Sequence, residues 1–292
     1  MIQYSIKDLE NISGIKAHTL RIWELRYKLL KPLRTDTNIR YYSNDDMRKI
    51  LNVSLLNTNG VKISKIANLS DTEIGEKIAA IFSNEESFQS QVESLVIAMI
   101  EMDEERFESV FANNILKFGI EGTIMNIIYP FLVKIGMLWQ TDSINPGQEH
   151  FIFNLIRQKL ISAIDGQIGK PKENTEKYLL FLPENELHEF SLLFCNYILR
   201  KEGKKTIYLG QSVLIGDAKK VADIHNPDYI IVIMTTGIKR KKIDEYVANL
   251  SSTFANKKII IYGYQILDLD FSQYTNIIQY RTLPEIVNSL KK

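Results

Sequence analysis

The stretch Lys177-Tyr-Leu-Leu-Phe-Leu182, followed by Pro183-Glu-Asn-Glu-Leu-His188-Glu189, decides the architecture of the last third of the chain. An almost wholly apolar run bounded by Pro and Asn reads as a strand buried on both faces. Downstream, strand-like runs recur at residues 206–209, 229–234, 258–262 and 277–280, with helical patterns at 189–201, 217–224, 241–250 and 284–291. That alternation predicts a five-stranded parallel sheet with helices on both faces, a Rossmann-like (flavodoxin-like) domain over residues 173–292. Sheets of this kind bind ligands at the carboxyl ends of their strands, near the switch point. The loop carrying His188 lies at such an end. A neutral imidazole there can ligate a metal, and Glu186 could hold its other nitrogen. The plainer reading is a polar loop histidine capping the next helix, which spacing alone favours.

Upstream, residues 76–172 are helical in period. Apolar stripes at 87–101, 104–118, 122–139 and 146–168 predict a central four-helix bundle. Asn145-Pro146 supplies an N-cap and first-turn pair for the last helix. The longest apolar stretch, 120–139, contains Glu121, Asn126, Pro130 and Lys134, and therefore reads as a core helix and not a membrane span. Trp139 closes one helix while Glu149 and His150 fall in the first turn of the next, so their side chains can face one cavity.

The first 75 residues have a different grammar. Ser5 caps a short helix at 6–12, Gly14 breaks the chain, and a second helix follows at about 16–27. This is a helix–tight turn–helix. Pro32, Asp36 and Asn38 mark a turn, and 39–42 reads as a strand, so a small hairpin is expected. Ser43 with Asp46 resembles a capping box opening a third helix through residue 56. A short fourth is expected at 62–69. In Thr19-Leu-Arg-Ile-Trp-Glu-Leu-Arg-Tyr27, Arg21 and Trp23 sit near the start of the second helix, and Arg26 lies about one turn on. The start of such a helix enters the major groove, where Arg can bond guanine. Arg34 and Arg40-Tyr41-Tyr42 would offer the hairpin's cationic and aromatic edge to phosphates. The bland alternative makes Trp23 and Tyr27 core residues beneath a solvated basic face.

Composition agrees with a multidomain α and α/β protein. The chain has 292 residues, 45% hydrophobic, 10% aromatic and 24% charged, which suits two or three domains with real cores. Charge is unevenly spread. Residues 1–75 carry 12 Lys/Arg against 8 Asp/Glu, whereas residues 76–172 carry 8 against 13. A basic first segment beside an acidic middle suggests that one end meets a polyanion. The single cysteine, Cys195, excludes a disulfide framework and a multi-thiolate metal site, and it reads as core. Residues 1–8 are mixed and polar, so no signal peptide is expected and a cytoplasmic location is. Neither Gly-x-Gly-x-x-Gly nor Gly-x4-Gly-Lys-Ser/Thr occurs, which leaves nucleotide binding without a motif.

The run from Tyr4 to Tyr42 resembles the MerR family of winged-helix regulators. Thr19-Leu-Arg21, Trp23-Glu24, Arg26-Tyr27, Leu30-x-Pro32, Arg34-Thr35 and Arg40-x-Tyr42 follow the variant found in the CarH/LitR cobalamin photoreceptors. The resemblance implies DNA contacts from Lys16, His18, Thr19, Arg21, Trp23, Arg26, Arg34, Arg40, Tyr41 and Tyr42. Residues 76–292 are similar to the cobalamin-binding regions of that group and, more distantly, of methionine synthase. In the group a Trp, nine intervening residues and Glu-His cover the upper face of adenosylcobalamin, and Trp139, Glu149 and His150 have this spacing. His188 would be the lower axial ligand to cobalt, within an Asp/Glu-x-His-x-x-Gly motif begun by Glu186, with Thr235, Thr236 and Gly263 near the nucleotide tail.

The departures are Ser191 for the motif's Gly, Met234-Thr-Thr-Gly237 for Ser-x-Leu, Gly263-Tyr264 for Gly-Gly, and Gln140 where light-sensing members carry a His. The implied function is a non-enzymatic regulator, a repressor sensing adenosylcobalamin and light. Its implied partners are promoter DNA, further copies of itself as dimer or tetramer, and RNA polymerase, with no membrane. Two alternatives stand. One keeps the head with a sensor for another ligand or a protein partner, for which Met234, Tyr264 and Gln140 speak. The other is a corrinoid-carrying methyl-transfer module, against which the winged helix speaks.

Overall fold

The computed structural model describes residues 4–35, 37–84, 88–140, 144–167 and 174–291, without the side chains of residues 44, 79–84, 139 and 140. The chain divides into two compact units, Met1–Leu155 and Ile156–Lys292. Asp36 and the expected element ends at residues 87 and 168 lie outside the described residues.

In the first unit, α1 (Ile6–Ser13) opens on a reciprocal capping box between Ser5 and Asp8 and ends at Gly14 in the left-handed region. The carboxylate of Glu10 on α1 accepts from the backbone N–H of Ala17, so α1 itself caps α2 (Ala17–Tyr27) and sets the turn between them. β1 (Leu33–Arg34) and β2 (Arg40–Tyr41) form the expected hairpin, and Tyr4 bridges to Tyr42 beside it. The Ser43–Asp46 capping box opens α3 (Asn44–Thr58), followed by α4 (Ile63–Ile66).

The helical segment contains α5 (Asp71–Asn84), α6 (Phe88–Glu101), α7 (Glu104–Thr123), α8 (Tyr129–Gln140) and α9 (Pro146–Asp165). Two features differ from the expected four helices. α5 is an additional helix, packed on α3. The break expected between 118 and 122 is a kink: Gly119 leaves helical geometry (φ 67°, ψ 175°), and the chain re-enters through a π-helical turn, Ile124–Ile128, that runs into α8. The run Glu104–Leu138 is apolar and long enough to cross a membrane by length and composition. Its Phe107, Phe111, Ile124, Ile127, Ile128, Phe131, Ile135 and Leu138 are nonetheless buried. Every residue of α6 from Ser94 to Ile100 is buried, because α3 covers one side of the helix while α7 and α8 cover another.

The second unit is built on β3 (Lys177–Pro183), β4 (Lys205–Val213), β5 (Tyr229–Ile233), β6 (Lys258–Tyr262) and β7 (Ile277–Gln279). All neighbours are parallel, in the order β4-β3-β5-β6-β7. α10 (Phe190–Lys201), α11 (Ile215–His225), α12 (Ile243–Thr253) and α13 (Leu283–Leu290) cover the sheet. This is the flavodoxin-like order. The link from β6 to β7 holds a single 3-10 turn, Tyr264–Ile266, in place of a full helix. β3 leads outward to β4, and the chain then crosses back to β5, so the switch point falls between β3 and β5. Leu179, Phe181, Ile230, Val232, Ile259 and Ile261 fill the core on one face.

Candidate DNA-binding and cofactor sites

The amphipathic pattern of α2 sends Leu20 and Trp23 inward and leaves His18, Arg21, Ile22, Leu25 and Arg26 exposed. Lys16 is exposed at the N-cap while its ammonium pairs with Glu10 at 3.1 Å, and Thr19 Oγ1 lies 3.3 Å from His18 Nε2. Arg26 lies over the ring of Tyr27. On the hairpin, Arg34 donates to Asn38 Oδ1 at 2.6 Å, and Asn38 takes the left-handed conformation its short amide tolerates. Arg21, Arg26 and Arg34 are therefore cations displayed on α2 and on the hairpin.

Two of the expected contact residues are packed into the head: Trp23 is 8% exposed and Tyr42 is fully buried. The Tyr42 phenol instead donates to Glu24 Oε2 at 3.2 Å, and Arg40 Nε lies 3.4 Å from the other oxygen. Burial and the adjacent Glu24 carboxylate push the Tyr42 phenol up to about 12, so it stays a donor. Arg40 and Tyr42 brace the wing against α2. Tyr41 remains half-buried on the strand.

In the second unit, the loops that follow β3 and β5 meet at the switch point. Glu186 is fully buried, and its carboxylate collects five donors. Oε2 accepts from the backbone N–H groups of Thr235, Thr236 and Gly237 at 2.8, 2.6 and 2.8 Å. Oε1 accepts from the backbone N–H of His188 at 3.0 Å and faces its Nδ1 at 2.8 Å. Burial alone would raise the Glu186 carboxyl. The His188 side chain and the backbone donors outweigh it and hold the group down at about 2. Glu186 is an anion at every physiological pH, and an anion on Nδ1 fixes the tautomer that carries its proton there. Nε2 then bears the lone pair. Thr236 Oγ1 also lies 3.0 Å from Nδ1.

Thr235 and Thr236 thus hold the Glu186 carboxylate through their backbone N–H groups. Gly237 is a residue the sequence reading left out of the site. A Cβ there would stand 2.7 Å from the backbone of Glu186. Gly263 has φ 138°, and a Cβ would fall 2.1 Å from the carbonyl oxygen of Met234, so it brings the ends of β5 and β6 together. Met234 is buried in the sheet's core, whereas Tyr264 is 64% exposed. Beside the site, Glu189 accepts from Tyr208 at 3.1 Å and pairs with Arg157. Cys195 is buried behind the loop, and burial pushes its thiol up to about 12.

In the first unit, Trp139 belongs to α8, but its side chain and that of Gln140 lie outside the described residues. Glu149 is half-buried and His150 exposed in the first turn of α9. Gln148, between that turn and the core, went unnoticed. Its Oε1 accepts from the backbone N–H of Asn145 at 3.0 Å, and Asn145 Oδ1 accepts from Gly147 at 2.7 Å. The sequence signal was present, since Asn145-x-x-Gln148 has capping-box spacing. Among the described residues no group of three His, Cys, Asp or Glu could hold a bare metal ion. A single imidazole suits a metal whose other ligands arrive with a macrocycle.

Comparison with known proteins bears on both sites. The family model "MerR HTH family regulatory protein" matches residues 4–73, and "B12 binding domain" matches residues 91–162. The HTH-type transcriptional repressor CarH of Myxococcus xanthus is 25% identical over 235 residues, covering 78% of this chain and 77% of the relative. The repressor CarA of the same organism is 27% identical over 207 residues, covering 70% and 67%. Among solved structures, the monomethylamine corrinoid protein of Methanosarcina barkeri superposes with a TM-score of 0.56 at 14% identity, over 70% of this chain and 99% of that one. The chain therefore carries a MerR HTH domain and a B12-binding domain, and it is homologous over most of its length to the CarH and CarA transcriptional repressors.

Proposed function

We propose that this chain is a DNA-binding transcriptional regulator whose cobalamin-binding region senses adenosylcobalamin, with His188 as the axial ligand to cobalt. The observation that carries this reading is the Glu186–His188 pair. A fully buried carboxylate locks the imidazole tautomer at the switch point of a flavodoxin-like sheet, in a chain whose other end is a helix-turn-helix. The cofactor, when bound, supplies a cobalt–carbon bond that light can cleave. The chain's own residues bind and orient it: Glu186 fixes His188, and Gly237 lets the β5 loop reach Glu186. By the resemblance, Trp139, Glu149 and His150 of the first unit and Thr235, Thr236 and Gly263 of the second would each contribute contacts to the cofactor. Gln140, a poor cobalt ligand, stands where capture of cobalt after photolysis would need a histidine. The regulator acts in the cytoplasm as a repressor and assembles as a dimer or tetramer on paired half-sites, with RNA polymerase as a further partner. Ligand occupancy shifts operator affinity by linkage.

A dark titration with adenosylcobalamin, read by absorbance, tests the reading. Wild type should bind with a shifted spectrum. His188→Ala should lose the histidine-ligated spectrum while keeping its far-UV circular dichroism. A mutant spectrum identical to wild type would sink the ligand assignment, and no binding at tens of micromolar would transfer the sensor to another ligand.

At the other end, Arg21→Ala should weaken binding to the selected operator by about 1–3 kcal/mol, roughly 5- to 150-fold. Its non-specific affinity should fall far less, as expected for a base contact and not a phosphate contact. Anisotropy titrations on operator and scrambled duplexes separate the two, and equal losses on both would remove Arg21 from base reading.

A further inference from the structure

We propose that the cleft between α5, α6 and α7 is a second ligand site, built for a small uncharged polyol of monosaccharide size. The cavity measures about 280 Å³. That is room for about nine waters at ~30 Å³ each, and hence for a molecule of pentose or hexose size. It lies within the first unit and is lined by none of the residues assigned above to DNA or cobalamin.

Its lining departs from the pattern of the bundle. The buried stretch of α6 from Leu95 to Ile100 is wholly apolar, and α7 turns Phe107 and Phe111 inward. At the cavity the buried positions become polar: Gln91 and Ser94 lie one turn apart on α6, and Asn114 lies on α7. Asn114 donates to Gln91 Oε1 at 3.2 Å and to the carbonyl of Val110 at 2.6 Å. That leaves Gln91 Nε2 as a donor and Asn114 Oδ1 as an acceptor outside their mutual bond. Ser94 is the sharper anomaly. It is fully buried, and its hydroxyl has no hydrogen-bond partner among the described residues. A helical hydroxyl can bond the carbonyl four residues back, as Ser13 bonds Leu9 and Thr123 bonds Gly119 here. Ser94 does not, and it lines the cavity instead. Across from it, the buried Nη1 of Arg106 is likewise without a partner among the described residues. Two buried polar atoms left unmade in one cavity are costly, and a bound molecule that satisfies both recovers that cost.

Charge decides the chemical class. Arg106 is the one cation among the described lining residues. Its Nε already lies 3.5 Å from Asp103 and its Nη2 3.9 Å from Glu101, so an arriving anion would meet two carboxylates beside the guanidinium. Those carboxylates are matched in turn, Asp103 by Arg106 and Glu101 by Arg106 and Arg48, which leaves little for an arriving cation. What the cavity lacks is neutral hydrogen bonding of both kinds. A hydroxyl donates and accepts at one atom, so a ring or chain of hydroxyls meets Ser94, Arg106 Nη1 and the amide pair together. Ile78 and Val110, both buried, supply an apolar wall for the C–H face of such a molecule. Gly75 keeps the α5 side open, since a Cβ there would meet nothing within 4 Å.

The test is calorimetric titration of the full chain with D-ribose, xylitol and D-glucose, with inorganic phosphate and putrescine as charged probes. At least one polyol should bind with a Kd of about 1 mM or below, and neither charged probe should. Ser94→Ala should weaken that binding about fivefold or more. Its ligand-free melting temperature should equal or exceed that of wild type, because the change removes an unmet buried hydroxyl. A serine that served packing alone would lose stability and leave polyol affinity untouched. The side-chain amide NMR signals of Gln91 and Asn114 should shift as the polyol is added, which locates the site in the wild-type chain whatever the fate of the variant. Failure of all three polyols to bind at about 10 mM means that the cavity holds water only, and it overturns the proposal. Binding of phosphate or putrescine in their place overturns it too, as does polyol binding that Ser94→Ala leaves unchanged.

Discussion

Glu186→Gln should destabilise the second unit by about 3–5 kcal/mol, because it removes the charge on which five donors converge. Glutamine has one acceptor oxygen. If that oxygen faces Thr235, Thr236 and Gly237, the amide NH2 points at the backbone N–H and Nδ1 of His188. If it is turned over, the NH2 meets three backbone donors at distances that suit only an acceptor. Neither rotamer satisfies the site, and each orphaned donor is buried.

Urea unfolding followed by circular dichroism measures the loss, and a difference under about 1 kcal/mol would show that the donors find water instead. The pH dependence of the cofactor-free protein gives a second reading. Glu186 is held at about 2, below its ordinary 4.5. Its contribution is thus fully present above pH 4.5 and is lost as the pH falls through 2. The gap between wild type and Glu186→Gln should narrow over that interval and stay constant above it. With His188 no longer locked by an anion, affinity for cobalamin should drop about 10–100-fold, the range typical of residues that orient a metal ligand.

Gly263→Ala should be at least as damaging, at about 4 kcal/mol or more, and by an unrelated route. The added Cβ would sit 2.1 Å from the carbonyl oxygen and 2.6 Å from the carbonyl carbon of Met234. Those are backbone atoms of the strand end next to the site, and no side-chain rotation relieves the overlap. The Met234 N–H also donates to Tyr262 at 2.8 Å, so pushing the strands apart breaks a bond of the sheet. The conformation itself, at φ 138°, is one that L side chains rarely adopt. A melting curve for the variant close to wild type would mean that the loop can move aside. Gly237→Ala, 2.7 Å from Glu186, should instead push the β5 loop off the carboxylate.

Much of this was legible because local signals agreed. Ser5–Asp8 and Ser43–Asp46 are capping boxes in sequence and in space. The apolar runs after residue 173 became five parallel strands in the expected places. α5 was passed over as a separate helix although Ser70 and Glu73 carry the same signature, since continuous helical period hid its ends. The Gly119 kink falls where the sequence predicts a break between two helices, because a π-helical re-entry keeps an apolar period that sequence cannot phase. Trp23 and Tyr42 have the residue types of a DNA contact and of a core equally, and only tertiary packing separates the two. In the cofactor site, His188 and Glu186 could be named because side chains have identities. The N–H groups of Thr235, Thr236 and Gly237 could not, because any residue but proline supplies one.

The burial of α6 has a consequence for how such regulators can be recombined. Asn59 at the end of α3 hydrogen-bonds Ser90 at 3.2 Å, and Arg48 on α3 reaches Glu101 at 3.6 Å, so one helix serves as the inner wall of two modules. A chimera cut near residue 75 would split a shared core and strip α3 of its cover. A graft that carries residues 4–155 together would keep the joint whole. The unit of exchange in this architecture is larger than the unit that reads DNA.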